Sequence, residues 1–164
     1  MPSSELVIRF FQQGDEEGII SLILSIQREE FHLDLTIHDQ PDLLQIDSVY
    51  CKNGGNFWCA SYEQKVVGTI GLIAIDHYGV IRKMFVQQEF RGKEWQTAQR
   101  LLNALIEWSN KHQMKQLLLG TIDKMVAAHK FYRRNGFTEI PKAELPSSFP
   151  VMPVDNLFFK KPLP

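Results

Sequence analysis

Residues 90–102 read FRGKEWQTAQRLL and place an arginine–glycine pair directly before a strongly patterned segment. In that segment and just beyond it, apolar residues recur at the spacing of one helix face: Ala98, Leu101, Leu102, Leu105 and Ile106. An apolar stretch at 81–86, IRKMFV, lies just upstream and has the composition of a strand. The order predicted here is therefore a strand, a short glycine-containing loop and an amphipathic helix.

The start of that helix is suited to hold an anion. The first N–H groups of any helix lack intrahelical partners, and the aligned peptide dipoles leave about half a positive charge there. A diphosphate fits such an end through backbone contacts alone. Gly92 allows unusual dihedral angles and close approach, while Arg91 and Lys93 add positive charge. The alternative is an ordinary basic loop that binds nothing.

Strand and helix signals alternate along the rest of the chain. Strands are predicted at 5–11, 57–62, 65–75, 80–86, 115–121 and 155–161, with turns at 63–64 and 77–79. One helix, with Asp15 as its cap, is predicted to run to about Phe31, and a short one follows Pro41. Another ends at Asn135 and Gly136. This order predicts one domain, residues 1–164, of the mixed α/β class.

Composition excludes several classes of protein. The 164 residues include 18 Lys+Arg and 19 Asp+Glu, a net charge of −1, which lacks the basic footprint of a nucleic-acid binder. Apolar runs are far shorter than the roughly 20 residues of a membrane span, and the first residues do not resemble a signal peptide. The only cysteines, Cys51 and Cys59, and the five histidines lack metal-ligand spacing. We expect a cytoplasmic protein with no metal, membrane or nucleic-acid partner.

Two segments carry a family resemblance. FVQQEFRGKEWQTAQRLL at 85–102 and AAHKFYRRNGF at 127–137, joined by a helix and a buried strand, resemble the GNAT superfamily of acetyl-CoA-dependent N-acetyltransferases. The order of strands and helices from residue 5 to residue 160 matches as well. The resemblance implies a central, mostly antiparallel, splayed mixed sheet of about six or seven strands flanked by about four helices.

The same resemblance implies a reaction and its site. Acetyl-CoA would be the co-substrate, and the primary amine of a small molecule or peptide would attack it directly in a ternary complex. Tyr132 matches the family's acid, which assists the departing thiolate. The pantetheine arm would lie along the backbone of the splayed strand at Met84, Phe85 and Val86, where a strand-edge N–H could also hold the oxyanion. Plain core packing is the alternative for these side chains, and the family often forms homodimers.

The predicted coenzyme loop departs from the family pattern. Counting back from the helix stripe puts Gln96 where the family usually has glycine, and Met125 stands where many relatives have asparagine. We still expect backbone N–H groups of the loop and first helical turn to hold the diphosphate. The residues concerned are Arg91, Gly92, Lys93, Glu94, Trp95, Gln96, Thr97 and Ala98.

No residue of the sequence stands out as the base. The strand at 80–86 carries no carboxylate, so a water relay and four side chains stay open: Asp76, His77, Glu29 and Glu30. Asp155 either caps a turn or points into the pocket. Glu29 and Glu30 are also the candidate acceptor contacts, because the acidic residues between 29 and 47 suggest a cationic acceptor. Two other functions are considered: a noncatalytic coenzyme-A-binding or sensing protein of this fold, and a protein-interaction module with a dead site.

Overall fold

The computed structural model describes residues 5–164, which form one mixed sheet with helices on both faces. The strands are β1 (Val7–Phe10), β2 (Asn56–Tyr62), β3 (Lys65–Ile75), β4 (Tyr78–Val86), β5 (Gln116–Thr121), β6 (Thr138–Ile140) and β7 (Leu157–Pro162). The helices are α1 (Glu16–Ser25), α2 (Ile46–Val49), α3 (Thr97–Lys111) and α4 (Val126–Arg134). The strand order is β1-β2-β3-β4-β5-β7-β6. The predicted fold class is confirmed.

Strands β1 to β4 form an antiparallel meander with tight turns. Glu63 and Gln64 both adopt positive φ, 48° and 66°, and join β2 to β3 as predicted. The turn predicted at 77–79 is wrong, because Asp76, with φ 50°, reverses the chain early enough for β4 to begin at Tyr78. The first strand is also shorter than predicted and comprises only Val7–Phe10.

The sheet divides between β4 and β5, which are its only parallel neighbours in the described residues. They pair at three positions, Tyr78 with Gln116, Gly79 with Leu117 and Val80 with Leu118. Beyond these positions β5 stays paired with β7, up to Thr121 opposite Leu157. The edge of β4 from residue 81 to residue 86 therefore has no partner strand among residues 5–164. The separation of β4 from β5 beyond Val80 is the splay that the family resemblance implied.

A bulge distorts β4 within the splayed part. Thr69 pairs with Phe85 and Gly71 with Arg82, so Lys83 and Met84 together oppose one residue of β3. Lys83 has φ 55°, and its carbonyl accepts a hydrogen bond of 2.6 Å from the buried Thr69 Oγ1. The neighbouring strand thus holds the bulge in place.

Helices cover both faces of the sheet. The predicted stripe of α3 is confirmed, because Leu101, Leu102 and Leu105 are fully buried and pack in one core with α4. Ile19 and Ile23 of α1 lie in the core on the other face. No helix within residues 5–164 is long and apolar enough to cross a membrane.

Asp15 precedes α1 as predicted, but its side chain does not cap the helix. Its carboxylate accepts instead from Arg9, at 2.8 and 3.0 Å, and from the Gln12 N–H at 2.8 Å. The capping prediction was wrong because the arginine of β1 and the preceding turn already use both carboxylate oxygens.

Candidate active site

A cavity of about 280 Å³ opens where β4 and β5 separate. Its walls come from β4, β5, α4, the segment at 33–40 and the segment at 149–155. Most lining residues are apolar, and five carry titratable side chains: Asp39, Arg82, Lys83, Tyr132 and Asp155. The splay therefore gathers a few polar groups from distant parts of the chain, as expected of a ligand site.

Tyr132 enters the cavity from α4. The residue is 6% exposed, and its ring packs against Phe137 and Phe159. Within residues 5–164 its hydroxyl has one hydrogen-bond partner, the Met84 sulfur at 3.6 Å, which is a weak acceptor. Burial raises the pKa of Tyr132 well above its usual 10. The phenol stays protonated at neutral pH, and its proton is available to a stronger acceptor in the cavity.

Arg82 and Lys83 bring positive charge to the cavity from β4. The Lys83 ammonium donates to Gln40 Oε1 at 2.7 Å and lies 3.7 Å from Asp42 Oδ2. Burial lowers the pKa of Lys83, and the charge of Asp42 opposes that shift. Arg82 donates to the Pro150 carbonyl at 2.7 Å. No carboxylate in the described part of the chain lies within 4.0 Å of the Arg82 guanidinium.

A buried network of polar side chains contacts the Lys83 ammonium and holds it in place. The amides of Gln27 and Gln40 exchange two hydrogen bonds, at 3.0 and 2.8 Å. Asp42 accepts from the Tyr50 hydroxyl at 2.5 Å. Burial, and then the charge of Asp42, raise the pKa of Tyr50, so this hydroxyl stays a donor. No sequence pattern predicts this network, because its members are spread between residues 27 and 83.

Asp155 reaches the cavity from the residues just before β7. Its carboxylate lies directly over Gly120 of β5, where any Cβ would collide with it. Burial raises the pKa of Asp155, while the Met152 backbone and the charges of Arg82 and Lys83 partly oppose that shift. The sequence left two roles open for Asp155, a turn cap or a pocket residue, and its position in the cavity lining corresponds to the second.

The loop before α3 has the backbone shape that its glycine suggests. Gly92 has φ 100°, and a Cβ there would meet no atom within 4 Å, so the loop is open to solvent on that side. Gln96 is left-handed, with φ 54° and ψ 31°, and directly precedes the helix. A left-handed residue explains the family's preference for glycine at this position. The Gln96 side chain turns back and donates to the Lys93 carbonyl at 3.0 Å.

The first turn of α3 leaves backbone donors available. Arg100 N–H is the first to bond within the helical pattern, to the Gln96 carbonyl at 2.9 Å. Thr97, Ala98 and the next residue therefore have no intrahelical acceptor. The loop is fixed by ring contacts among Tyr62, Phe90 and Trp95, with centroids 4.8 to 5.4 Å apart. The buried Thr97 hydroxyl also donates to the Phe90 carbonyl at 2.7 Å.

Arg91 is used to hold the loop in place. Its Nε donates to the Val86 carbonyl at 2.8 Å, and its two Nη atoms contact both Glu30 oxygens at 2.7 and 2.8 Å. Glu30 therefore neutralises the charge that was predicted to face the diphosphate. Lys93 and Glu94 are exposed, and neither side chain forms a hydrogen bond or ion pair within residues 5–164. The Lys93 carbonyl accepts the hydrogen bond from the Gln96 side chain.

The glutamates predicted to contact the acceptor lie outside the cavity lining. Glu30 is paired with Arg91, and Glu29 accepts from Ser25 at 3.2 Å. Their predicted contact with the acceptor has no support from the geometry. Asp76 and His77 are exposed at the closed end of the sheet, beside the paired part of β4. Neither is in the lining, so these two candidate bases are separated from the splay.

The arrangement fits a coenzyme whose diphosphate and extended arm need backbone partners. The free donors of α3, the open side of Gly92 and the unpaired edge of β4 supply them. Met84 and Phe85 line the cavity, whereas the Val86 carbonyl is already bound by Arg91. No cluster of three or more His, Cys, Asp or Glu side chains suited to a metal occurs between residues 5 and 164.

Comparisons with known proteins agree with this geometry. The sequence profile described as the acetyltransferase (GNAT) family matches residues 20–137. An acetyltransferase of the GNAT family from Staphylococcus aureus Mu50 is 40% identical, with a TM-score of 0.93 over 98% of this chain and 100% of that one. The PaiA N-acetyltransferase from Thermoplasma acidophilum, solved with coenzyme A, shares the fold at 15% identity, with a TM-score of 0.75 over 97% of this chain and 99% of that one.

Similarity extends to a group of proteins with a named product. N-acetylaspartate synthetase from Danio rerio is 32% identical over 135 residues, which are 79% of this chain and 46% of the relative. The chain thus spans less than half the length of this relative. Together these matches confirm the resemblance drawn from residues 85–102 and 127–137.

Proposed function

Because the chain belongs to the acetyltransferase (GNAT) family, it is an acyltransferase with acetyl-CoA as co-substrate, and we propose that it acetylates the primary amine of a small acceptor bearing a carboxylate. The observation that carries the acceptor class is Arg82, a cavity-lining guanidinium with no carboxylate within 4.0 Å among residues 5–164. The free thiols Cys51 and Cys59 support the expected cytoplasmic location.

The coenzyme is held mainly by backbone groups. The loop from Gly92 to Gln96 and the N–H groups of Thr97 and Ala98 bind the diphosphate, since they lie at the positive end of α3. The extended arm pairs with the free edge of β4 at Met84 and Phe85. When bound, the coenzyme supplies an acetyl group activated as a thioester.

The acceptor carboxylate binds to Arg82, with Lys83 beside it. A guanidinium matches a carboxylate in charge and in the geometry of its donors. The Pro150 carbonyl and the Gln40 amide hold these two cations in position. The relatives named N-acetylaspartate synthetase support the same class, because aspartate is an amine with carboxylates. This replaces the cationic acceptor inferred from the acidic residues at 29–47, most of which lie outside the cavity lining.

Tyr132 acts at the departing sulfur. Its buried hydroxyl is protonated and, in the described part of the chain, is bonded to no acceptor other than the Met84 sulfur, so it can donate to a developing thiolate. A thiolate near pKa 8.5 leaves more readily when it accepts such a hydrogen bond. Backbone N–H groups on the free edge of β4 serve the developing oxyanion.

A thiol-release assay tests the proposal. Purified protein would be mixed with acetyl-CoA and with aspartate, glutamate, asparagine, β-alanine, spermidine and a short peptide. We expect the amino dicarboxylates to give the highest kcat/KM. Faster turnover of spermidine would contradict the acceptor class, and coenzyme binding without any turnover would favour a sensing role.

Arg82→Gln tests the contact itself, with Arg100→Gln as its matched control. Both arginines donate to a backbone carbonyl, Arg82 to Pro150 at 2.7 Å and Arg100 to Leu6 at 3.0 Å. Only Arg82 lines the cavity. Loss of a charged hydrogen bond should raise the acceptor KM about 10- to 100-fold in Arg82→Gln only. The KM for acetyl-CoA should stay the same in both variants.

A further inference from the structure

The cavity contains few groups able to accept a proton from the acceptor amine. Among its five titratable residues, Arg82 and Lys83 are cations and Tyr132 is protonated. Asp39 is exposed and its Oδ2 accepts the Thr36 N–H at 2.9 Å and the Thr36 hydroxyl at 3.2 Å, which closes a helix-capping box. Asp155 is the other carboxylate in the lining; it belongs to no capping box, and only the Met152 backbone contacts it among the described residues.

Asp155 is held at the splay by bonds on both sides of its backbone. Its N–H donates to the Met152 carbonyl at 3.1 Å, and the next N–H, of Asn156, donates to Thr121 of β5 at 2.9 Å. The Asn156 side chain accepts from the Asp123 N–H at 3.0 Å. These bonds attach the turn before β7 to the end of β5. The carboxylate then lies over Gly120, the one residue type that leaves room for it.

The surroundings suit a proton acceptor. The charged and titratable groups that face the cavity with Asp155 are Arg82 and Lys83 from β4, Tyr132 from α4 and Asp39 from the 33–40 segment. Neither cation lies within 4.0 Å of the Asp155 carboxylate, which thus forms no salt bridge in the described residues. Partial burial makes its charged form less favourable and so increases its basicity.

We propose that Asp155 is the general base of the acetyl transfer, a role that rests on the proposed function. Its carboxylate takes a proton from the acceptor ammonium and passes it to solvent. The freed nitrogen lone pair forms the bond to the acetyl carbon as the carbon–sulfur bond breaks. The sulfur takes the Tyr132 proton, and the second nitrogen proton returns to the Tyr132 oxygen through water. The products are the N-acetyl compound and the free thiol.

The zwitterionic form of an amino-acid acceptor then has a partner at each end. Its carboxylate binds at Arg82 on β4, and its ammonium lies toward Asp155 at β5. An amine of pKa about 10.4 is neutral in only about one molecule in 2500 at pH 7, so a base that removes this proton increases the fraction of reactive amine. The test is the dependence of kcat on pH in Asp155→Asn, with Asp155→Glu as the conservative variant. Asp76→Asn is the matched control, because Asp76 is an exposed carboxylate outside the cavity lining and asparagine accepts its positive φ of 50°.

We expect Asp155→Asn to lower kcat at pH 7 by about 100-fold or more, with the KM for acetyl-CoA unchanged. Its activity should recover steadily toward pH 10, because the free amine then forms without a base. Asp155→Glu should retain part of the activity, and Asp76→Asn should behave like the wild type. A merely structural role would give no such recovery at high pH.

Two results would contradict the role of Asp155 as general base, and they differ in what they imply for the proposed function. An Asp155→Asn protein within threefold of wild-type kcat at pH 7, or one whose deficit is the same at every pH, rules out Asp155 as the base while leaving the acetyltransferase intact. A wild-type protein that turns over no amine at any pH removes both the base and the proposed function. Circular dichroism of each variant would verify that it is folded.

Discussion

Gly92 and Gly14 have nearly the same backbone conformation, with φ 100° and 106°, and a Cβ at either position would meet no atom within 4 Å. Replacing either by alanine should therefore cost a similar amount of stability, about 1 kcal/mol, through backbone strain alone. Gly92 belongs to the proposed diphosphate loop, whereas Gly14 lies in the turn before α1.

Gly92→Ala should weaken coenzyme A binding about tenfold, because strain in the loop displaces its N–H groups. Gly14→Ala should leave the affinity unchanged. Calorimetric titration of coenzyme A into each variant measures the difference. Equal affinities in the two variants would place the diphosphate elsewhere.

Tyr132→Phe should lower kcat by about 100-fold and leave the KM for acetyl-CoA nearly unchanged, because only the proton donor is lost. Tyr78→Phe is the control, since it removes another tyrosine hydroxyl, bonded to Ser148 Oγ at 2.8 Å and outside the cavity lining. Steady-state kinetics at pH 7 compares them. A similar loss in both variants would contradict a role of Tyr132 at the sulfur.

Individual residues differ in how far their roles could be predicted. Gly92 lacks a side chain and so tolerates positive φ, and the unusual backbone conformation of the loop was predicted from this glycine. Gln96 and Lys83 reach φ 54° and 55° without such a signal, because surrounding elements impose those conformations. Arg91 has the charge of a phosphate ligand, but only the fold brings Glu30 within 2.7 Å of it.

At the scale of elements, two buried threonines hold the two sides of the site. Thr69 bonds the Lys83 carbonyl at the β4 bulge, and Thr97 bonds the Phe90 carbonyl in the loop before α3, at 2.6 and 2.7 Å. Both side chains lie almost completely in the interior. Replacing either by valine keeps the shape and leaves a carbonyl without its hydroxyl donor.

Thr69→Val and Thr97→Val should each lose about 1–3 kcal/mol of unfolding free energy. Their kinetic effects should separate. Thr69→Val should raise the acceptor KM more, because Lys83 is part of the bulge and Arg82 directly precedes it. Thr97→Val should raise the acetyl-CoA KM more. Urea unfolding and steady-state kinetics measure the two effects, and identical kinetic profiles would count against this division of the site.

Elements with a strong periodic pattern were predicted well. Leu101, Leu102 and Leu105 define the buried face of α3, and β3 was predicted from the nearly continuous run of apolar and β-branched residues at 65–75. The short β6 was missed, because three residues carry too little pattern and the strand forms only by pairing with β7. The bulge in β4 was missed for a similar reason, since its register depends on β3.

At the scale of the whole molecule, we expect the ionised Asp155 carboxylate to lower the free energy of unfolding at neutral pH. Its folded-state pKa is raised above the ordinary 3.8, so the ionised carboxylate is less favourable in the folded than in the unfolded chain. This cost is present above the folded pKa and disappears as the pH falls toward 3.8. Asp155→Asn should therefore be more stable than the wild type at pH 7, with a difference that shrinks in acid.

Asp15→Asn should behave in the opposite way. Burial would raise the pKa of Asp15, but hydrogen bonds from Arg9 and Gln12 outweigh it and lower the pKa below 3.8. This variant should be less stable at pH 7, and its deficit should shrink only as the pH falls through the lowered pKa. Urea unfolding at several pH values compares both variants with the wild type. A destabilised Asp155→Asn protein at pH 7 would contradict the assigned shift.

The overall architecture was more predictable than the acceptor side of the cavity. Family resemblance and strand order indicated the splayed sheet, because both depend on local patterns spread along the chain. The acceptor side combines Arg82, Asp155 and Gln40, which are far apart in sequence and ordinary in type. The acidic residues at 29–47 led to the prediction of a cationic acceptor, but most of them contact other protein groups and only Asp39 among them lines the cavity.

The bulge at Lys83 has a consequence for solubility. An unpaired strand edge exposes backbone groups that another protein molecule can add to, which is a common start of aggregation. The left-handed Lys83 breaks the regular repeat of that edge midway, and its buried ammonium would oppose an incoming apolar strand. A thin, flexible ligand arm can follow such an irregular edge more readily than a second polypeptide in extended form.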